Sequence, residues 1–272
     1  MKQARTFTRH TLTLVCVLAW ISPFFYMLNA SLKSEGEFDL NGPLGLPAQV
    51  AWDNFQHAAT VLIPYFLNSV RYVLISVPTV IVLAVPAAYA IARMDFRFRI
   101  FISTYLMIGF MFSLVVWIIP LYILYRNMGL LNSIWPLVIS YVTSQLAYSI
   151  YLLRGYMAGI PRALEEAAFI DGASALQVLW YVIVPLSKPM IFTVALVDFF
   201  ATWNDFFIGY TFQQSGAYQP LQLSLFQFQT THSTLYTETA AALILMVLPT
   251  LFIFLVFQPY IMRQARAGAI KE

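Results

Sequence analysis

The chain has 272 residues, of which 60% are hydrophobic and only 10% charged, and its mean hydropathy is +0.74. That balance excludes an ordinary soluble domain and indicates an integral membrane protein, with room for several spans and little for a separate soluble domain. The formal net charge of +3 reads as a topology signal and not as a nucleic-acid surface, and the single cysteine, Cys16, excludes an internal disulfide framework.

A bilayer core of roughly 30 Å needs about 20 apolar residues per helix. Six runs meet that need, at 11–30, 65–92, 100–125, 134–153, 190–210 and 237–260. The basic start with Lys2, Arg5 and Arg9 before the first run has the pattern of a signal peptide. No small-residue cleavage site follows, and Val15 before Cys16 is too large for lipoprotein processing, so the run is read as an uncleaved first span.

Orientation follows from the basic residues. Lys2, Arg5 and Arg9, then Arg93, Arg97 and Arg99, then Arg154, Arg162 and Lys188, then Arg263, Arg266 and Lys271 fall on one side, against Lys33, Arg71 and Arg126 on the other. This asymmetry places both termini and the 154–187 loop in the cytoplasm. The expected organisation is a cytoplasmic tail at 1–10, a six-helix transmembrane region at 11–260 and a second cytoplasmic tail at 261–272.

On the outer side, 31–61 carries Glu35, Glu37, Asp39 and Asp53 with Gly42-Pro43-Leu44-Gly45-Leu46-Pro47, a pattern of turns and short irregular loop. It reads either as a solvated connector or as a docking surface for an outside protein. The second outer loop, 209–236, is rich in Gln, Ser and Thr and is equally compatible with a partner.

Polar faces inside lipid carry the next signal, because unsatisfied polar groups there are costly and turn inward. In the fifth run Asp198, Ala201, Thr202, Asp205 and Gly209 share one helical face, away from Phe199, Phe200, Phe206 and Phe207. In the fourth, Tyr141, Ser144, Gln145 and Tyr148 do the same. Aromatic rings beside amides, hydroxyls and carboxylates suit a sugar, stacking on its C–H face and bonding its hydroxyls. The candidate substrate path is therefore Tyr141, Gln145, Tyr148, Asp198, Trp203, Asn204 and Asp205. The competing reading is that these groups satisfy one another between helices. Pro23, Pro78, Pro86, Pro120 and Pro249 interrupt runs, as packing kinks or as parts of a moving gate.

The 154–187 loop holds Pro161-Arg162-Ala163-Leu164-Glu165-Glu166-Ala167-Ala168-Phe169-Ile170-Asp171-Gly172 between two apolar runs. Pro161 suits a helix start, and Gly172 suits a left-handed close, so the segment predicts one compact helix outside the bilayer. Glu165 is expected on its solvated surface. No Gly-x-x-x-x-Gly-Lys-Ser/Thr loop occurs, so the chain lacks that device for ATP. His10, His57 and His232 are too scattered for a metal site, and His232 falls in an outer loop, against an intramembrane serine–histidine protease.

Glu166-Ala167-Ala168, three residues, Gly172, nine residues and Val182-Ile183-Val184-Pro185 resemble the EAA loop of the membrane subunits of binding-protein-dependent ABC importers. Val182 and Val184 stand where isoleucine and leucine are usual. Ala87-Ala88-Tyr89-Ala90-Ile91-Ala92-Arg93, Gly129-Leu130-Leu131-Asn132, Trp203-Asn204-Asp205 and Gly268-Ala269-Ile270-Lys271 extend the likeness from about Asn68 to the C-terminus. Together they resemble the carbohydrate-uptake class, on the side of the maltose-type permease subunit with short outer loops.

The resemblance implies an all-α integral membrane protein of six transmembrane helices, with the type I ABC importer permease fold and a cytoplasmic coupling helix, in the bacterial inner membrane. It implies that Glu166, Ala167, Ala168, Asp171, Gly172 and Pro185 couple to an ATPase. Glu166 would anchor the contact, the two alanines allow close approach, Gly172 give the turn and Pro185 set re-entry into the membrane. The implied partners are a second permease subunit, two ATP-binding subunits that hold the ATP and Mg, an extracytoplasmic sugar-binding protein and membrane lipid. The chain itself is expected to bind no cofactor or metal and to be no enzyme. The substrate class is an oligosaccharide, a disaccharide or a sugar or polyol derivative. Two further readings stand beside it: an ion-coupled secondary transporter with Asp198 and Asp205 as relay, and a membrane scaffold without transport.

Overall fold

The computed structural model describes residues 2–42, 44–112, 114–229 and 235–269. Pro43, His232, Ile270 and Lys271 lie outside the described residues, as do the side chains of Lys2, Arg5, Arg9, Arg263 and Arg266. Helices follow one another as α1 (Lys2–Ser31), α2 (Glu35–Asn41), α3 (Asp53–Arg93), α4 (Arg99–Met111), α5 (Leu114–Asn127) and α6 (Trp135–Ala158). After these come α7 (Ala163–Ile170), α8 (Ala175–Trp203), α9 (Phe207–Phe212) and α10 (Tyr236–Ala269). No extended strand occurs among the described residues.

Five helical stretches are long and apolar enough to cross a membrane: His10–Ser31, Asp53–Arg93, Trp135–Ala158, Ala175–Trp203 and Tyr236–Gln258. They match five of the six predicted runs. The third run, 100–125, is instead two helices, α4 and α5, separated where Phe112 turns extended at φ −85°, ψ 121°. At 1.5 Å per residue each reaches only about 20 Å, so the pair together supplies the third crossing. Uniform apolarity through this stretch hides the break from any hydropathy reading.

Other boundaries move for identifiable reasons. Helix α3 begins at Asp53, ahead of the predicted 65, because 53–64 is helical yet too polar to register as a span. The outer 31–61 segment is thus less irregular than expected: Ser34 accepts the Glu37 N–H and starts α2, whose first turn holds Glu35 and Glu37. The 154–187 loop is shorter than its polar composition implies. Helix α6 runs to Ala158, and Ser174 with Gln177 forms a capping box that starts α8 at Ala175. Pro23 and Pro120 sit inside helices that continue past them.

Between Leu179 and Ile183, α8 widens into a π-turn in which the Val184 N–H reaches Leu179 O. Pro185 has no N–H to offer the Tyr181 carbonyl, which removes the bond an ordinary helix would make there.

The chain divides into two compact units, Met1–Pro64 with Ser224–Ile253 and Tyr65–Leu223 with Phe254–Glu272. In the first, Glu35 Oε1 accepts from both the N–H and the hydroxyl of Thr237 at 2.9 Å, holding the start of α10 against α2. Phe38 stacks on Tyr236 with ring centroids 5.7 Å apart, and His57 Nδ1 meets Glu238 Oε2 at 2.5 Å. The buried Lys33 ammonium donates to Gly42 O, and Asn54 donates to Ser31 O and Lys33 O.

The second unit has its core where α3, α6 and α8 meet, around Val80, Ala84, Ala88, Leu153, Met157 and Ile183. Asn68, Ser69 and Tyr72 of α3 pin the segment after α9 by bonds to the backbone of Ala217, Gln219, Leu221 and Tyr218. Gly129 and Asn132 both take left-handed backbones, at φ 68° and 59°, and Asn132 Oδ1 accepts the N–H groups of Gln214 and Ser215.

Gly209 faces Pro220 so closely that a Cβ there would lie 2.6 Å from Pro220 Cγ. Gly209→Ala is therefore expected to lower stability by about 1–3 kcal/mol, read as thermal unfolding of the detergent-solubilised protein. Adding Pro220→Ala should recover most of that loss. An unshifted Gly209→Ala protein would refute the close packing.

Candidate functional site

Two constructions in the second unit stand out. The first is the seat of α7. Pro161 lies two residues before the helix, its carbonyl accepting the Leu164 N–H at 3.3 Å. At the other end the Ala173 N–H bonds Ala168 O and the Gly172 N–H bonds Phe169 O, at 2.9 and 3.0 Å. That pair of bonds is a Schellman close, and it requires the left-handed φ of +86° that Gly172 adopts. The compact helix predicted from Pro161 and Gly172 is thus present.

What holds α7 in place differs from expectation. Glu165, expected on the solvated face, is 6% exposed, with Oε1 2.9 Å from Nε of Arg93 at the end of α3. Tyr89 OH lies 3.5 Å from its other oxygen. The same guanidinium donates through Nη2 to Met157 O at 2.6 Å and to Ile160 O, carbonyls at and just beyond the end of α6. One arginine thereby ties three helix ends together, bonding orphan carbonyls of α6 and balancing the charge of the buried carboxylate at once. The correction has a simple cause: α7 must present one face to its own protein, and Ala168 and Ala173 bring that face down onto the core.

The neighbouring Glu166 points the other way and is exposed, as are Ala167, Asp171, Gly172 and, further on, Pro185. Leu164, Phe169 and Ile170 are exposed too, Ile170 at 85%. The short helix therefore offers a carboxylate with apolar side chains around it, on a rigid support.

The second construction joins α6 to α8, which pack closely against each other. Tyr141 OH donates to Asp205 Oδ2 at 3.0 Å, Gln145 Nε2 to Thr202 Oγ1 at 3.0 Å, and Ser149 Oγ to Asp198 at 3.1 and 3.2 Å. Donors four residues apart on α6 meet acceptors on the antiparallel α8 and the residues that follow it, forming a three-rung ladder. Interhelical bonds of this kind are worth roughly 0.6 kcal/mol each on average in a membrane protein. The ladder therefore sets the register of two helices more than it adds to stability.

Asp205 has a further duty. Its carboxylate accepts the N–H groups of Ile208 and Gly209 at 3.3 and 3.0 Å, starting α9 where the fifth predicted run had been expected to continue to 210. Trp203 is buried, stacked on Phe199 with centroids 5.5 Å apart and edge-on to Phe66 at 5.6 Å. Asn204 ends α8 and is exposed, and Tyr148 is half-buried.

The seven predicted path residues thus lie on neighbouring elements, and Tyr141, Gln145, Asp198, Trp203 and Asp205 are engaged with their own protein. Ala201, placed on the inward face by spacing, is exposed, as is Ser144. Sequence reasoning passed over Ser149 and the partnership of Arg93 with Glu165. Arg93 had been visible as a basic residue on the cytoplasmic side and as the end of the Ala87–Arg93 segment, with no partner assigned. Among the described residues no group of three or more His, Cys, Asp or Glu side chains is placed to hold a metal.

These features are those of a membrane permease, and residues 80–267 match the family described as the binding-protein-dependent transport system inner membrane component. The chain belongs to that family. It is 29% identical over 259 residues to the diacetylchitobiose uptake system permease protein DasC of Streptomyces coelicolor, covering 94% of each chain. It is 29% identical over 254 residues to the trehalose/maltose transport system permease protein MalG of Thermococcus litoralis, covering 92% of this chain and 91% of that one. In fold it matches a crystal structure of a bacterial ABC transporter involved in the import of the acidic polysaccharide alginate, with a TM-score of 0.84, 23% identity, and coverage of 95% and 96%. The type I importer permease fold expected from the EAA pattern is present.

The buried pair at the seat of α7 makes a sharp energetic prediction. Arg93→Met strands the Glu165 carboxylate and should cost about 3–5 kcal/mol, whereas Arg93→Met with Glu165→Met should cost far less. Unfolding of the detergent-solubilised variants measures both. Equal losses in the single and double variants would show that the pair is not the tie.

Proposed function

We propose that this chain is the membrane-spanning permease subunit of an ATP-driven importer for a carbohydrate, supplying half of the translocation path. Membership of the binding-protein-dependent family supports the transport role, and the full-length relatives whose printed names specify diacetylchitobiose and trehalose or maltose support the substrate class. The ion-coupled alternative draws no support from these likenesses.

The observation that carries the coupling assignment is the exposed Glu166 on a short helix clamped through Arg93 and Glu165. In this reading the chain works with a second permease subunit, two ATP-binding subunits and an extracytoplasmic sugar-binding protein, with both of its termini in the cytoplasm. ATP and Mg reside on the ATP-binding subunits, and the chain catalyses no reaction itself. Helix α7 enters a cleft on one ATPase, with Glu166 making a charge-assisted contact, Ala167 and the half-buried Ala168 allowing close approach and Gly172 giving the turn. Closure of the ATPases drives α7, and α7 carries α3 and α6 with it because Arg93 binds all three. The permease halves then exchange inward- and outward-facing states as rigid bodies. Pro185 sets the angle at which α8 leaves this end.

Along the path, the exposed Asn204 and the half-buried Tyr148 would meet a sugar in this reading. Tyr141, Gln145, Asp198, Trp203 and Asp205 brace the wall behind them.

Glu166→Lys or Gly172→Asp is expected to uncouple ATP hydrolysis from uptake while leaving membrane insertion intact. Reversing a charge at an interface costs several kcal/mol, so uptake by the reconstituted complex should fall by at least about a hundredfold. Wild-type substrate-stimulated ATPase activity and uptake in either variant would overturn the assignment. Mass spectrometry of carbohydrate retained by the copurified complex would identify the substrate.

A further inference from the structure

A cavity of about 270 Å³ lies in the second unit where α3, α4 and α6 converge, near the end of α3 that carries Arg93. Its wall is largely apolar, with Ile91, Leu106, Met107, Met111, Ala147 and Ile150 beside the ring of Tyr151. Charged groups gather at one end, where Ser103 and Arg154 mark the opening into a wider recess lined also by Asp95, Arg97 and Arg99. This shape has a hydrocarbon part and a cationic part, in that order along the helices.

The charges at the mouth do not cancel. Arg99, at the start of α4, is committed to the end of α3, with Nε on Ile91 O at 2.8 Å and Nη2 on Ala92 O, and to Asp95 through Nη1 at 2.9 Å. Asp95 is thereby neutralised. Arg154 donates to the Ser103 hydroxyl at 2.6 Å, and Arg97 is exposed with its guanidinium 5.8 Å from the Phe98 ring centroid. Among the described residues neither has a carboxylate within ion-pairing distance. Two arginines thus stand over an apolar cleft with no anion to balance them.

A sugar does not suit this cleft, because Ser103, Tyr151 and Arg154 alone among its lining residues can bond a hydroxyl, against six apolar side chains. A soluble anion would use the mouth and leave the apolar cavity unexplained. A molecule with an anionic head and a hydrocarbon tail uses both, and basic recesses between transmembrane helices take such lipids. The position agrees. Ile91 lies in the last turn of α3 and Arg154 near the end of α6, where spans reach headgroup level.

We propose that this cleft binds one anionic phospholipid, with its phosphate on Arg97 and Arg154 and a stretch of one acyl chain along Leu106, Met107 and Ile150. The lipid replaces the missing counter-anion and fills the space between α4 and its two neighbours, steadying the shorter half of the third crossing.

The test uses the intact complex in detergent, with thermal unfolding followed on adding phosphatidylglycerol, phosphatidylcholine or glycerol 3-phosphate. Phosphatidylglycerol should raise Tm and the other two should not, with native mass spectrometry showing one anionic lipid retained. Arg97→Gln with Arg154→Gln should weaken phosphatidylglycerol binding by about thirtyfold, from the loss of two surface cations. Arg97→Gln alone, at an exposed position, should weaken it less and remove part of its salt dependence. Met107→Trp, at a half-exposed site, should block the cavity and lower the Tm rise with both arginines intact.

Equal shifts with phosphatidylcholine would make the cleft merely apolar, and equal shifts with glycerol 3-phosphate would make it a soluble-anion site. Either result overturns the proposal, as would undiminished binding in the double variant or a Met107→Cys crosslink showing the second permease chain in the cavity. None of these readouts depends on sugar uptake, so the lipid site and the transport assignment fail or stand separately.

Discussion

The ion pair between Arg93 and Glu165 is the constraint on which the coupling end of this protein rests. Two charges removed from water are stable only when their remaining bonds are satisfied, and here the spare donors of Arg93 go to the carbonyls of Met157 and Ile160. Position, more than net stability, is what such a pair supplies. Helix α7 is eight residues long and far too short to be stable alone, so its orientation depends on this anchor and on the Schellman close at Gly172. The exposure of Glu166 follows from the burial of Glu165, since adjacent residues on one helical turn point in different directions.

The ladder between α6 and α8 plays a similar part within the membrane. Each rung is weak, yet unpaired hydroxyl, amide and carboxylate groups at that depth are costly, which makes the paired register strongly preferred. Asp205 extends the ladder into the turn by capping α9, and Gly209 then allows Pro220 to approach. Helix packing, chain reversal and loop placement are consequently linked through one carboxylate. The motif Trp203-Asn204-Asp205 thus has an architectural duty that its polar character alone did not disclose.

Much of the fold was legible before any coordinates. Hydropathy located five long crossings, and the EAA spacing with Pro161 and Gly172 located the short helix between the fourth and fifth. Hydropathy failed at 100–125, because a helix break inside a uniformly apolar stretch changes no side-chain polarity. It also misplaced both ends of the fifth span, where side-chain caps at Ser174 and Asp205 decided the matter. For the candidate site, spacing put Tyr141 and Gln145 on one helical face and Asp198 and Asp205 on another but left open whether they face a substrate or one another. The structure pairs Tyr141 with Asp205 and ties Gln145 and Asp198 to Thr202 and Ser149.

From its residues alone the chain determined that it is a multi-span helical membrane protein with a capped helix interrupting the spans, since burial in lipid and turn chemistry depend on composition and local spacing. Only the tertiary structure decided which of two adjacent glutamates is buried, that Arg93 is its partner, and that three polar pairs lock α6 to α8. Those outcomes depend on which distant segments meet, and a charge or hydroxyl carries the same local signature whether its partner is water or another helix.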